Sequence, residues 1–219
     1  MAVYFFADDH FGNHPGKNIF KHLPPELRER ITFVENDFSL LESGKWLEDC
    51  ELLILNIIGD TCNLPHAGKN AEKALKQWCE QGGNALLLHG SSAAFWQWDW
   101  WRQIVGLRWV RPNDPDNVAK STHPKKPFSL RVCKSRHPLS SKLVPFELDT
   151  DEIYIELEQV SPIMTLMDTF IEEGVYPQCF ETVTPWNGKF VSFLPGHFTH
   201  ATGNEQLIAN IAEIIKYLL

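Results

Sequence analysis

His89 follows the apolar run Ala85-Leu86-Leu87-Leu88 and precedes Gly90, so a buried-type strand ends on an imidazole and turns into the next segment. In an open α/β sheet the carboxyl end of such a strand faces the ligand crevice, and a side chain on the turn is presented to substrate. A cysteine or serine there would be a nucleophile. A histidine is instead a base, a metal ligand or a hydrogen-bonding group, unless it only closes the turn. Asp8, Asp9, His10 and His14 form a second polar group directly after the strand-like Val3-Tyr4-Phe5-Phe6. His10 and His14 are four apart, but Gly12 and Pro15 place them in a loop rather than on a helix face, which is a weak metal pattern. Asp151-Glu152 before Ile153-Tyr154, and His197 after Pro195-Gly196, complete the set. The plain reading makes the acidic pair solvated and His197 a turn residue.

Elements that would position these groups follow from the spacing of apolar residues. Val3–Phe6, Ile31–Glu35, Leu52–Leu55 and Ala85–Leu88 read as strands, separated by helical segments over 17–30, broken at Pro24-Pro25, over 40–50 and over 67–81. Such alternation predicts a parallel sheet with helices on both faces. A third strand-end loop is expected at Asn56 to Thr61. Phe95, Trp98, Trp101 and Val105 make one stripe of a predicted helix packed on the sheet. Trp96 and Trp100 lie off that stripe and need another apolar surface: a loop, a second copy or a sugar face. Residues 111–126 read as a Pro-, Asp- and Lys-rich excursion, 128–133 as an edge strand, and 163–169, 179–183 and 190–194 as later strands. Gly188 fits the turn of a hairpin between the last two, and Asn204–Leu219 closes the chain as a helix.

Composition limits the function classes. With 219 residues the expectation is a single domain, 1–219, and no apolar run is long enough to cross a bilayer. A formal charge of −8 repels nucleic-acid phosphates. Five scattered cysteines (Cys50, Cys62, Cys79, Cys133, Cys179) without a Cys-x-x-Cys pair, and a start without a secretory pattern, lead to an expected cytoplasmic location. No Gly-x-Gly-x-x-Gly follows a strand, so no bound dinucleotide is expected.

Gly82-Gly83 ahead of the strand ending in His89-Gly90, the Trp-rich segment ending at Val105-Gly106, His137-Pro138, Asp151-Glu152-Ile153-Tyr154, Pro185-Trp186 ahead of Gly188-Lys189-Phe190-Val191, and Gly196-His197 occur in an order that resembles the trehalose-utilisation (ThuA-like) family. The resemblance implies a class I glutamine amidotransferase-like fold, a flavodoxin-like three-layer α/β/α sandwich with a mostly parallel sheet and late antiparallel strands. In the amidotransferases a cysteine occupies the elbow and a late histidine activates it. Here His89 stands at the elbow and His197 at the late position, so glutaminase chemistry lacks its nucleophile.

The resemblance implies sugar catabolism on trehalose-like disaccharides or their keto derivatives. His89 and His197 would be the acid/base pair, with Glu152 or Asp151 orienting one of them, and His10, Tyr154, Trp96 and Trp186 would contact the sugar. No cofactor is required by this reading, although the same side chains could hold a divalent metal. The alternatives are a non-catalytic sugar-binding or sensing protein on this fold, and a homo-oligomer whose Trp-rich surface serves assembly.

Overall fold

The computed structural model describes residues 2–59, 66–114 and 116–219. Asp60, Thr61 and Cys62, and Pro115 in the polar excursion, lie outside the described residues. In chain order the elements begin with β1 (Ala2–Ala7), α1 (Pro15–His22), α2 (Pro25–Arg28), β2 (Ile31–Glu35), α3 (Ser39–Ser43), β3 (Cys50–Asn56), α4 (Lys69–Glu80) and β4 (Asn84–Leu88). They continue with α5 (Asp99–Arg102), β5 (Leu107–Arg108), β6 (Lys125–Val132), β7 (Phe146–Glu152), β8 (Glu158–Gln159) and β9 (Met164–Ile171). Last come β10 (Gly174–Val183), β11 (Lys189–Phe193), α6 (Thr199–Thr202) and α7 (Glu205–Leu218).

Nine strands form one sheet in the order β2-β1-β3-β4-β11-β10-β9-β6-β7. The first five run parallel, and from β11 outward each neighbour is antiparallel. Parallel strands buried on both faces should be near-continuous apolar runs, and the buried stretches Phe5-Phe6-Ala7 of β1 and Leu52-Leu53-Ile54-Leu55 of β3 are. Val3, Phe5, Leu52, Ile54 and Leu86 pack on α1 and α7, while Phe6, Leu53, Leu55 and Leu87 pack on α4 and the tryptophan segment. This is the expected three-layer α/β/α sandwich. The chain leaves β1 in one direction to reach β2 and in the other to reach β3, which makes the carboxyl ends of β1 and β3 the topological switch point where such sheets bind ligands.

Three local expectations are corrected. The helix predicted over 95–105 is a single turn, α5, because the chain turns back at Phe95 with φ of +54°. Phe95, Trp98, Trp101 and Val105 are nonetheless buried together, so the spacing carried the burial and not the helix. The predicted edge strand 128–133 corresponds to β6, which lies between β9 and β7. Over 40–50, Gly44 at φ of +67° splits the helical segment into α3 and a 3-10 turn. Among the described residues, no helix is long and apolar enough to cross a membrane.

Candidate active site

The loop after β1 holds two groups of the site. His10, Phe11 and His14 all have left-handed backbones (φ of +46°, +57° and +49°), which coil the loop tightly over the strand end. The Asp8 carboxylate accepts the backbone N–H groups of Ile58 at 3.0 Å and Gly59 at 2.8 Å, tying β1 to the loop after β3, and it contacts His10 Nδ1. Burial pushes the Asp8 carboxyl up, but the His10 contact and the two N–H groups outweigh it and hold the group below the usual range. His10 is fully buried, and its Nε2 has no hydrogen-bond partner among the described residues.

The elbow after β4 holds the third. His89 is fully buried at φ of +48°, a strained backbone for a residue with a Cβ. Gly90 follows because a Cβ there would stand 2.7 Å from Ile58 Cγ1. His89 Nδ1–H donates to the Leu194 carbonyl at 2.8 Å, which leaves the Nε2 lone pair turned to the site. There it meets the Tyr154 hydroxyl at 3.2 Å, His197 Nδ1 at 3.0 Å and Glu152 Oε2 at 3.5 Å.

His197 sits on the turn after β11. Asn13 Nδ2 donates to the His10 carbonyl at 3.0 Å and to His197 Nε2 at 3.2 Å, so the His197 proton resides on Nδ1. Burial, and then the neighbouring His89, pull the His197 imidazole down to about 3. Asp151 and Glu152 divide their work. The Asp151 carboxylate accepts the N–H groups of Gly196 at 2.6 Å, His197 at 3.1 Å and Phe198 at 3.3 Å, and so fixes the turn. Burial raises the Asp151 carboxyl despite those contacts. Glu152 faces the imidazoles with Oε2, while its Oε1 meets His123 Nδ1 and Lys125 Nζ, each at 3.2 Å. Burial would raise Glu152, but the neighbouring His89 ring, and then His197 and His123, bring it down to about 2. Tyr154, buried and beside the Glu152 and Asp151 charges, is pushed far above its ordinary value and is a hydroxyl donor.

Glu152, Tyr154 and His197 line a cavity of about 430 Å³, and His89 lies fully buried directly behind them. Phe11, Trp109 and Phe198 supply aromatic walls, and Arg111, His123 and Lys125 supply polar ones. Of the residues singled out in the sequence, His10, His89, Asp151, Glu152, Tyr154 and His197 thus come together. Trp96 lies against the Arg111 guanidinium at 5.5 Å, beside the cavity. Trp186 does not join them: its carbonyl packs by Gly82, at the amino end of β4, and its ring lies with the α4 layer. Trp100 finds its second surface within the chain, stacked on Trp98 and donating Nε1–H to Glu72 at 3.0 Å. Sequence reasoning missed Asn13, Trp109, Arg111, His123 and Lys125. The last four flank or lie in the polar excursion, whose composition has no period that would point them anywhere.

A family model described as trehalose utilisation (ThuA) matches residues 7–218. The chain belongs to the ThuA family. Solved structures agree on the ThuA-type fold. A ThuA-like protein from Parabacteroides merdae is 17% identical with a TM-score of 0.69, covering 97% of this chain and 88% of that one. Another from Bacteroides uniformis is 14% identical with a TM-score of 0.72, over 99% and 90% of the two chains. A cytoplasmic protein from Salmonella typhimurium is 10% identical with a TM-score of 0.65, over 99% and 98%. No functionally curated protein matches the chain.

Proposed function

We propose that this ThuA-family chain is a cytoplasmic enzyme of sugar catabolism that moves protons on a trehalose-like disaccharide or its keto derivative. The observation that carries the reading is the meeting of His89 Nε2, His197 Nδ1 and the Glu152 carboxylate, the last two residues lining one aromatic-walled cavity of about 430 Å³ and His89 lying directly behind them. That volume falls within the range of small-molecule sites. Flat walls such as Trp109 and Phe198 suit the apolar face of a sugar ring, while Arg111 and Lys125 offer donors to its hydroxyl oxygens.

The imidazoles act as bases. His197 is neutral at neutral pH, so its lone pair is open to a substrate proton, and Glu152, already ionised, stabilises the imidazolium that forms transiently. A ring carbonyl in the substrate acidifies the adjacent C–H: the base removes that proton, the electron pair passes to the carbonyl oxygen, and the imidazolium returns the proton to carbon. Where the next carbon bears the glycosidic oxygen, the carbonyl instead re-forms, a C=C bond forms as the C–O bond breaks, and the imidazolium protonates the departing oxygen. Tyr154, held protonated, donates to the developing oxyanion. Asp151 fixes the position of His197 and takes no part in proton transfer to substrate.

The test is turnover of keto-trehalose by the wild type and by His197→Gln, followed by chromatography of the sugars. Turnover abolished in a folded variant supports the assignment, and turnover retained overturns it. Wild-type binding without turnover would instead favour a sugar-sensing role.

A further inference from the structure

We infer that His89 Nε2, His197 Nδ1 and Glu152 Oε2 form a three-ligand site for a divalent transition metal, zinc being the best match, with its open position facing the cavity. The triangle of ligand atoms has edges of 3.0, 3.5 and 3.6 Å. Ligands at zinc–nitrogen and zinc–oxygen distances of about 2.0–2.1 Å stand roughly 3.3–3.4 Å apart in a tetrahedron, so the side chains already sit on three of its corners. Two histidines and one carboxylate with a free fourth position is the donor set of a catalytic rather than a structural zinc.

Two further observations support a cation here. Among the three atoms only His197 Nδ1 carries a proton, so the His89 Nε2 lone pair and the Glu152 carboxylate face each other 3.5 Å apart in a buried space with the His197 N–H and the Tyr154 hydroxyl as donors beside them, an arrangement that a cation neutralises. The surroundings also hold each ligand in place. Leu194 O fixes the His89 tautomer, and His123 and Lys125 hold the far oxygen of Glu152. On loading, the His197 proton passes from Nδ1 to Nε2, which gives up the hydrogen bond from Asn13 while Asn13 keeps its bond to the His10 carbonyl. When bound, the ion would polarise a substrate carbonyl or hydroxyl lying in the cavity. Metal loading engages the His197 lone pair, so the metal-bound form would not use His197 as a base; the inference concerns the site of the proposed reaction but is tested independently of the sugar reading, because metal binding is measured without sugar.

The experiment is calorimetric titration of the chelator-treated full chain with zinc, for the wild type, Glu152→Gln and His197→Gln. The expected result is one equivalent bound by the wild type, with affinity lowered roughly a hundredfold or more when either ligand is lost. Cobalt(II) added to the wild type should give the visible bands of tetrahedral nitrogen and oxygen coordination, a readout that does not depend on the variants folding. Absence of stoichiometric zinc uptake by the wild type, or uptake unchanged in both variants, would overturn the site.

Discussion

Burial and the adjacent His89 hold the His197 imidazole down to about 3, against an ordinary 6.5, and this has a consequence for stability as well as for chemistry. Between those values the unfolded chain binds a proton at this residue that the folded chain does not. Stability therefore rises with pH across that window, and is lost as pH falls from 6.5 toward 3. Denaturant midpoints of chelator-treated protein should decline through this range for the wild type, and His197→Gln should flatten the slope. An unchanged slope would mean that His197 titrates as an exposed histidine. The base form is likewise retained on acidification, so kcat/KM should show no loss from His197 protonation until the pH approaches about 3. The residues proposed to bear the chemistry were legible because histidines and carboxylates at strand ends stand out from apolar runs. Asn13 was not, since an asparagine in a turn looks the same whether it closes the turn or orients an imidazole.

At the scale of elements, the site depends on two backbone contacts. Asp151 gathers three N–H groups of the turn after β11. Asp151→Asn should cost about 1–3 kcal/mol, the usual range for hydrogen bonds made to a buried charge. It should also lower turnover by misplacing His197, and urea unfolding alongside kinetics checks both effects. Gly90→Ala drives a methyl group into Ile58 and should destabilise by about 1–3 kcal/mol while shifting the His89 elbow. A thermal melt that matches the wild type would show that the elbow has slack. The strands and strand-end loops of the parallel half were readable, because buried parallel strands are short apolar runs bounded by turn residues. The Phe95–Val105 segment was misread as a helix: its stripe of aromatic residues at helical spacing is equally satisfied by successive tight turns that bury the same rings. The place of β6 inside the sheet depends on pairing with β9 and β7, a tertiary fact that its own alternating pattern does not contain.

At the scale of the whole molecule, the cavity is assembled from both halves of the sheet. The parallel half contributes the ends of β1, β4 and β11, while the antiparallel half brings Glu152 and Tyr154 from the end of β7. Sequence order alone cannot show that residues so far apart in the chain share a floor. Trp109, which walls that floor beside Tyr154 at a ring separation of 4.7 Å, should act on binding rather than on chemistry. Trp109→Ala is expected to raise the Kd for the sugar severalfold with little loss of fold, which thermal shift against ligand concentration measures.

The most direct test of the account is proton transfer at carbon. Keto-trehalose incubated in deuterium oxide with the wild type should lose the NMR signal of the C–H beside its carbonyl, or be consumed with deuterium in the product, far faster than without enzyme. His197→Gln, folded by circular dichroism, should show neither. Exchange and turnover equal in the two proteins would contradict the assignment of His197 as the base.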